Sequence, residues 1–155
     1  MTLTVRRLLR ARVPETEGGT AIVEFIFLAV LLMVPLIYLV MLLARLQAGA
    51  YAASAGAREA GRAFVTARAE GAAASRAHAA ARIAFEDQGF RDGQATVSMT
   101  CDGSPCLRPE GRVTIVSRVT VPLPLVPAFA RSVVPLRVAM TASHVAVVDR
   151  FKGAP

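Results

Sequence analysis

Hydrophobic and polar positions divide this chain into four sections with different rhythms. Residues 1–19 are polar and basic, carry Pro14 and the pair Gly18-Gly19, and hold too little apolar surface to pack, so this leader is expected to be disordered. From Phe25 to Ala44 there follow twenty residues without a charge, FIFLAVLLMVPLIYLVMLLA. A helix rising ~1.5 Å per residue crosses the ~30 Å hydrocarbon core of a bilayer over that length, which predicts a transmembrane helix over residues 20–44. Pro35 removes one backbone donor near its middle and can kink it, although membrane helices tolerate proline better than soluble ones. The third section, from Arg45 to about Gln88, is dominated by alanine and has charges but no turn cluster. The helix is expected to continue through 45–88, with Gly71 as the point most able to divide it.

After Gly89 the rhythm changes to alternation. Ala95 to Cys101 and Arg112 to Val121 are rich in Val, Thr and Ile; in the second, Val113, Ile115, Val119 and Val121 alternate with Thr114, Arg118 and Thr120. That is the period of a half-buried strand. Leu136 to Val148 repeats it, with Leu136, Val138, Met140, Ala142 and His144 on one face. Pro122, Pro124 and Pro127 separate the last two strands and interrupt any ladder between them. The fold class expected is α+β: a long N-terminal transmembrane and extended helix, then a small open-edged three-stranded antiparallel sheet over residues 89–155, one face of which the helix can cover.

Charge sets the orientation. Arg6, Arg7, Arg10 and Arg12 precede the apolar run against only Glu15 and Glu17, and a short basic flank stays on the cytoplasmic side. The apolar run continues in bulky residues up to Arg45 with no small-residue cleavage site, so it reads as a retained anchor and not as a secretory signal. A single-pass protein of the cytoplasmic membrane is expected, N-terminus inside and C-terminal domain outside. At 155 residues there is room for one modest core. The formal net charge of +7 rests on scattered arginines and a single lysine, with no basic run interleaved with aromatics and no Trp. This argues against nucleic acid and for surface solvation with attraction to acidic lipid or cell-wall polymers.

Cys101 and Cys106 enclose the turn sequence DGSP and would sit at the mouth of the first hairpin. In an extracytoplasmic domain so close a pair is expected to be disulfide-bonded, stapling local geometry. The spacing departs from C-x-x-C, and no further cysteine or nearby histidine completes a zinc set. No catalytic constellation emerges either. His78 lies in the alanine-rich helix and His144 in a strand, neither with a sequence-local partner, no serine occupies a G-x-S-x-G elbow, and no glycine-rich phosphate loop is present. Neither an enzyme nor a cofactor is expected.

The anomalous residue is Glu24, a carboxylate at the edge of the apolar run and therefore costly unless compensated. It lies five residues past Gly19 in the string Glu17-Gly18-Gly19-Thr20-Ala21-Ile22-Val23-Glu24-Phe25. This string resembles the processing site of type IV-like prepilins: a basic leader ending in Gly, a Glu at the fifth mature position, then an apolar helix. The resemblance implies that a membrane aspartic prepilin peptidase cuts after Gly19 and leaves Thr20 as the new amino terminus. Glu24 could then pair with the Thr20 ammonium of a neighbouring subunit, since a charge in low dielectric is tolerated mainly when paired. The plainer account is an acid in the first helical turn, where the helix dipole favours it.

Val34-Pro35-Leu36 and the downstream block Ala55-Gly56-Ala57-Arg58-Glu59-Ala60-Gly61-Arg62 narrow the resemblance further, to the TadE/TadG-like proteins of the tight-adherence (Flp pilus) system. Members have a similar proline in the membrane segment and an Ala-Arg-Glu-Gly-Ala-Arg-like motif on the following helix; here Ala60-Gly61 stand in the opposite order. The motifs cover about residues 17 to 65, and beyond them the likeness is architectural. It implies a pseudopilin-like component whose partners are the prepilin peptidase, the Flp-type major pilin, TadG-like minor pilins and the inner-membrane assembly platform. Arg58 and Arg62 share a helix face while Glu59 can reach Arg62 or a partner. With the small residues Gly49, Ala53, Gly56, Ala57 and Ala60 they could set register between copies, or simply belong to a solvated alanine-rich helix. The alternative function is an uncleaved single-pass binding or adhesion protein of the cell envelope.

Overall fold

The structure, a computed structural model, describes residues 17–123 and 136–152. Expectations for residues 1–16 of the leader, and for Pro124 and Pro127 between the last two strands, lie outside the described residues. The chain is α+β: helices α1 (Glu17–Val65) and α2 (Glu70–Asp87) precede strands β1 (Ala95–Cys101), β2 (Arg112–Pro122) and β3 (Arg137–Val147). It divides into two units, Met1–Val40 and Met41–Pro155.

In the first unit α1 is already helical at Glu17, so Glu17, Gly18 and Gly19 are helical and not part of an irregular leader. The helix continues through Pro35. Its most apolar 18-residue window has a mean hydropathy of 3.0, and none of it is buried. Phe25, Leu32 and Val40 are each more than half exposed. A helix that is apolar all round and exposed all round has the length and composition to cross a membrane.

The second unit is a sheet with helices on one face. β1 pairs with β2 and β2 with β3, both antiparallel, in the order β1-β2-β3. Strict alternation buries Val113, Ile115, Ser117, Val119 and Val121 of β2 and turns the residues between them outward. On β3 the inward positions are Val138, Met140, Ala142, His144 and Ala146; Leu136, grouped with them by the sequence pattern, precedes the strand and is half exposed.

Small residues let α1 lie on the inner face. A Cβ on Gly49 would overlap Val121, and one on Gly61 would crowd His144, Ala146 and Ile115, at 3.0–3.2 Å. Ala52, Ala53, Ala57 and Ala60 are buried between these glycines. Toward α2 the approach is equally close, because the Phe85 ring occupies the place where Gly56 lacks a side chain. On α2, Ala73, Ala77, Ala81, Ala84 and Phe85 form the buried stripe, at the three- and four-residue spacing of one helix face. The small-residue seam that could have served contacts between copies is thus consumed within the chain.

The alanine-rich section is two helices, not the single one expected over 45–88, and the break falls at residues 66–69 instead of Gly71. Thr66 turns its hydroxyl back onto the Arg62 carbonyl at 2.7 Å, a local bond that competes with helix continuation. The Lys152 ammonium then donates to the carbonyls of Val65 at 2.7 Å and Ala67 at 2.6 Å. A cation on the last carbonyls satisfies acceptors that the helix leaves open and complements its dipole. α2 ends in a Schellman arrangement: Gly89 at φ +76° follows the cap residue Gln88, with Phe90 N–H donating to Phe85 O at 3.0 Å and Gly89 N–H to Glu86 O at 2.8 Å.

Candidate functional site

Two groups of residues singled out by sequence lie in separate units. The first is the start of α1. Gly18, Gly19 and Thr20 are helical, and Glu24 and Phe25 follow about one turn later. Glu24 is exposed, Phe25 is 73% exposed, and among the described residues Glu24 makes no ion pair. Glycine costs about 1 kcal/mol against alanine in a helix, so two adjacent glycines weaken the helix at Gly18 and Gly19. A Cβ placed on Gly19 would meet nothing within 4 Å. Unlike Gly49, Gly56 and Gly61, this glycine has no packing reason among the described residues.

The second group is the charged block on α1. Arg62 binds one oxygen of Glu59 through both Nη2, at 2.9 Å, and Nε, at 3.1 Å. The side chains are 77% and 45% exposed, so this i,i+3 pair adds little stability. Arg58 is exposed and donates to the Ser54 hydroxyl at 3.5 Å. Glu59 and Arg62 rim a groove of about 520 Å³ between α1 and α2, where Ala55, Ala80 and Ala84 form small walls and Ile83 is 58% exposed. Sequence spacing found the Glu59–Arg62 pairing; the groove required knowing that the alanine section folds back on itself.

At the far end of the sheet, Cys101 and Cys106 are disulfide-bonded, with Cα atoms 5.5 Å apart. The loop they close is tied on both sides. Cys106 N–H donates to Glu70 Oε1 at 2.8 Å, linking the loop to the first turn of α2. Asp102 accepts from Arg112 N–H at 3.1 Å and pairs with Arg108 at 2.8 Å. The Arg112 N–H foremost, and also the Arg108 guanidinium, hold the Asp102 carboxyl below the usual carboxylate range against opposing desolvation. Alternating apolar positions pointed to β2 but not to Ser117, which is fully buried with no hydrogen-bond partner for its hydroxyl.

His78 is exposed on α2, and His144 is half-buried on the inner sheet face beside Gly61. Among the described residues no group of three or more His, Cys, Asp or Glu side chains is placed to hold a metal ion. Comparison of the chain with protein-family models, with curated proteins and with solved structures finds no match in any of the three.

Proposed function

We propose that this chain is a TadE/TadG-like pseudopilin: a membrane-anchored minor component of Flp/Tad pilus assembly or a related secretion system, processed after Gly19 and acting by helix-mediated assembly. The observation that carries the reading is the pairing of Gly19, which packs against nothing among the described residues, with Glu24, an exposed carboxylate at the edge of the uncharged run Phe25 to Ala44. A peptidase that cuts beside glycine gives the first a purpose. The new Thr20 ammonium of a neighbouring subunit gives the second a counter-charge in a medium where an unpaired charge is expensive.

In this reading the apolar part of α1 holds the chain in the cytoplasmic membrane with its N-terminus inside, and the disulfide-bonded sheet unit lies outside, where such a bond is stable. Cleavage removes the basic leader that retains this end in the cytoplasm. Lateral association then runs through Glu24 and Phe25 at one level and through Arg58, Glu59 and Arg62 at another. The partners are membrane lipid, the prepilin peptidase, the Flp-type major pilin, TadG-like minor pilins and the assembly platform.

The test is Glu24→Ala in a cell that builds the apparatus. The variant is expected to insert in the membrane at wild-type level but to fail in assembly, scored by surface pili and secretion. Wild-type piliation and secretion would remove the pairing role and leave an anchored envelope-binding protein as the better account.

A further inference from the structure

The outer face of the sheet is left uncovered by α1 and α2, and its chemistry is one-sided. Outward positions carry threonine and serine hydroxyls from Thr96 on β1, through Thr114 on β2, to Thr141 on β3, together with Arg112, Arg118 and Arg137 and the exposed side chains of Val116, Val145 and Val147. No acid and no aromatic residue occupies an outward position of the three strands. All three arginines are exposed, and among the described residues none of their guanidinium groups makes an ion pair. Asp102, which accepts from the Arg112 backbone, is occupied by Arg108.

The spacing is linear. Arg112 and Arg118 lie on one strand, roughly 20 Å apart at ~3.3 Å per residue. Arg137 is opposite Pro122, hence roughly 13 Å farther along on the neighbouring strand. Arg118 is also directly opposite Thr96. Thr96 in turn lines a cleft of about 340 Å³ at the β1 edge with His78, Arg82, Arg91 and Asp92. Arg82 pairs with Glu86 at 3.7 Å and Asp92 shares the lining with Arg91, so the cleft extends the row on the sheet with partly balanced cations.

We propose that the outer sheet face and the cleft at its β1 edge form one basic track that binds an extended anionic polysaccharide. Charge complementarity selects an anion over a second copy of the same face, which would set arginine against arginine. Hydroxyls and short aliphatic side chains among separated cations suit a polymer bearing both hydroxyl and acidic groups. The sheet face carries no aromatic residue, and Phe85 and Phe90 of the cleft are buried, so the track offers neither the stacking surface that a neutral sugar would use nor the Trp or Tyr anchors of a bilayer interface. The inference does not depend on processing after Gly19, so either can fail without the other.

The full chain in neutral phosphatidylcholine nanodiscs is titrated with polygalacturonate, with dextran and with vesicles containing phosphatidylglycerol. Saturable, salt-sensitive binding of polygalacturonate alone is expected. Arg112→Ala/Arg118→Ala/Arg137→Ala should weaken it by roughly tenfold or more, and Arg82→Ala/Arg91→Ala by a smaller factor. The control Arg68→Ala/Arg76→Ala/Arg150→Ala removes the same charge elsewhere and should bind as wild type. Because all three sheet arginines are exposed, an unchanged circular dichroism spectrum is expected for the triple variant, and Arg118→Lys should retain binding as a check on folding. Undiminished binding by the sheet variant, an equal loss in the control, no binding of polygalacturonate, or binding to the anionic vesicles in its place would each overturn the proposal.

Discussion

The ammonium of Lys152 donates to the carbonyl of Val65 at 2.7 Å, joining the end of α1 to a residue 87 positions away. With the second bond, to Ala67, this contact sets where the first helix stops. The side chain is partly buried there, and hydrogen bonds from a charged donor contribute about 1.5–3 kcal/mol. Lys152→Met keeps the aliphatic stem and removes the donor. It is expected to lower the stability of the sheet-containing unit by about 1–3 kcal/mol in urea unfolding followed by circular dichroism. An unchanged midpoint would show that the helix ends at Val65 for local reasons.

Gly56 and Gly19 should respond oppositely to alanine. At Gly56 the new methyl meets the Phe85 ring, and overpacking of about 1–3 kcal/mol should exceed the gain of ~1 kcal/mol in helix propensity. At Gly19 the methyl meets nothing, so Gly19→Ala should leave thermal stability intact while blocking conversion to the shorter form. Thermal melts and gel mobility of the two variants, side by side, separate a packing glycine from a processing one.

Ser117 predicts a stabilising substitution. Its hydroxyl is buried without a partner, and an unsatisfied polar group costs about 1–3 kcal/mol. Ser117→Ala deletes that group with little change in volume and should raise stability by about 1 kcal/mol in the same unfolding assay. A loss of stability would mean that a buried water serves the hydroxyl.

Asp102 makes the loop acid-sensitive in a defined direction. Its folded-state pKa lies below the unfolded value of ~3.9. Its stabilising contribution is therefore fully present above the unfolded value and is lost as pH falls through the folded one. Asp102→Asn should narrow the stability difference from wild type as the solution is acidified below about pH 4, read from melting temperatures across the acid range. A difference that stays constant with pH would remove Asp102 from the acid response.

The sheet was legible because its signal is local. Alternation put β1 at Ala95 to Cys101, where it lies, and displaced the ends of β2 and β3 by a single residue. The apolar run and the turn between the cysteines are likewise carried by adjacent residues, and so is the end of α2 at Gly89. What could not be read depends on residues far apart in the chain. Between Val65 and Glu70 only Thr66 hints at a break, and the only lysine, which donates to the helix end, lies at the other end of the sequence. The small residues of α1 gave a correct sign of close approach, but spacing cannot tell a partner helix from Phe85 and Val121 of the same chain. The charged block was found by its spacing as well, whereas the groove it rims follows from the fold of α2 against α1.

The proposed function turns on whether the chain is cut between Gly19 and Thr20. Intact-mass and N-terminal sequencing of the protein extracted from membranes that contain the prepilin peptidase measures this directly. The account predicts a mature chain beginning at Thr20; a chain that retains residues 1–19 would contradict it.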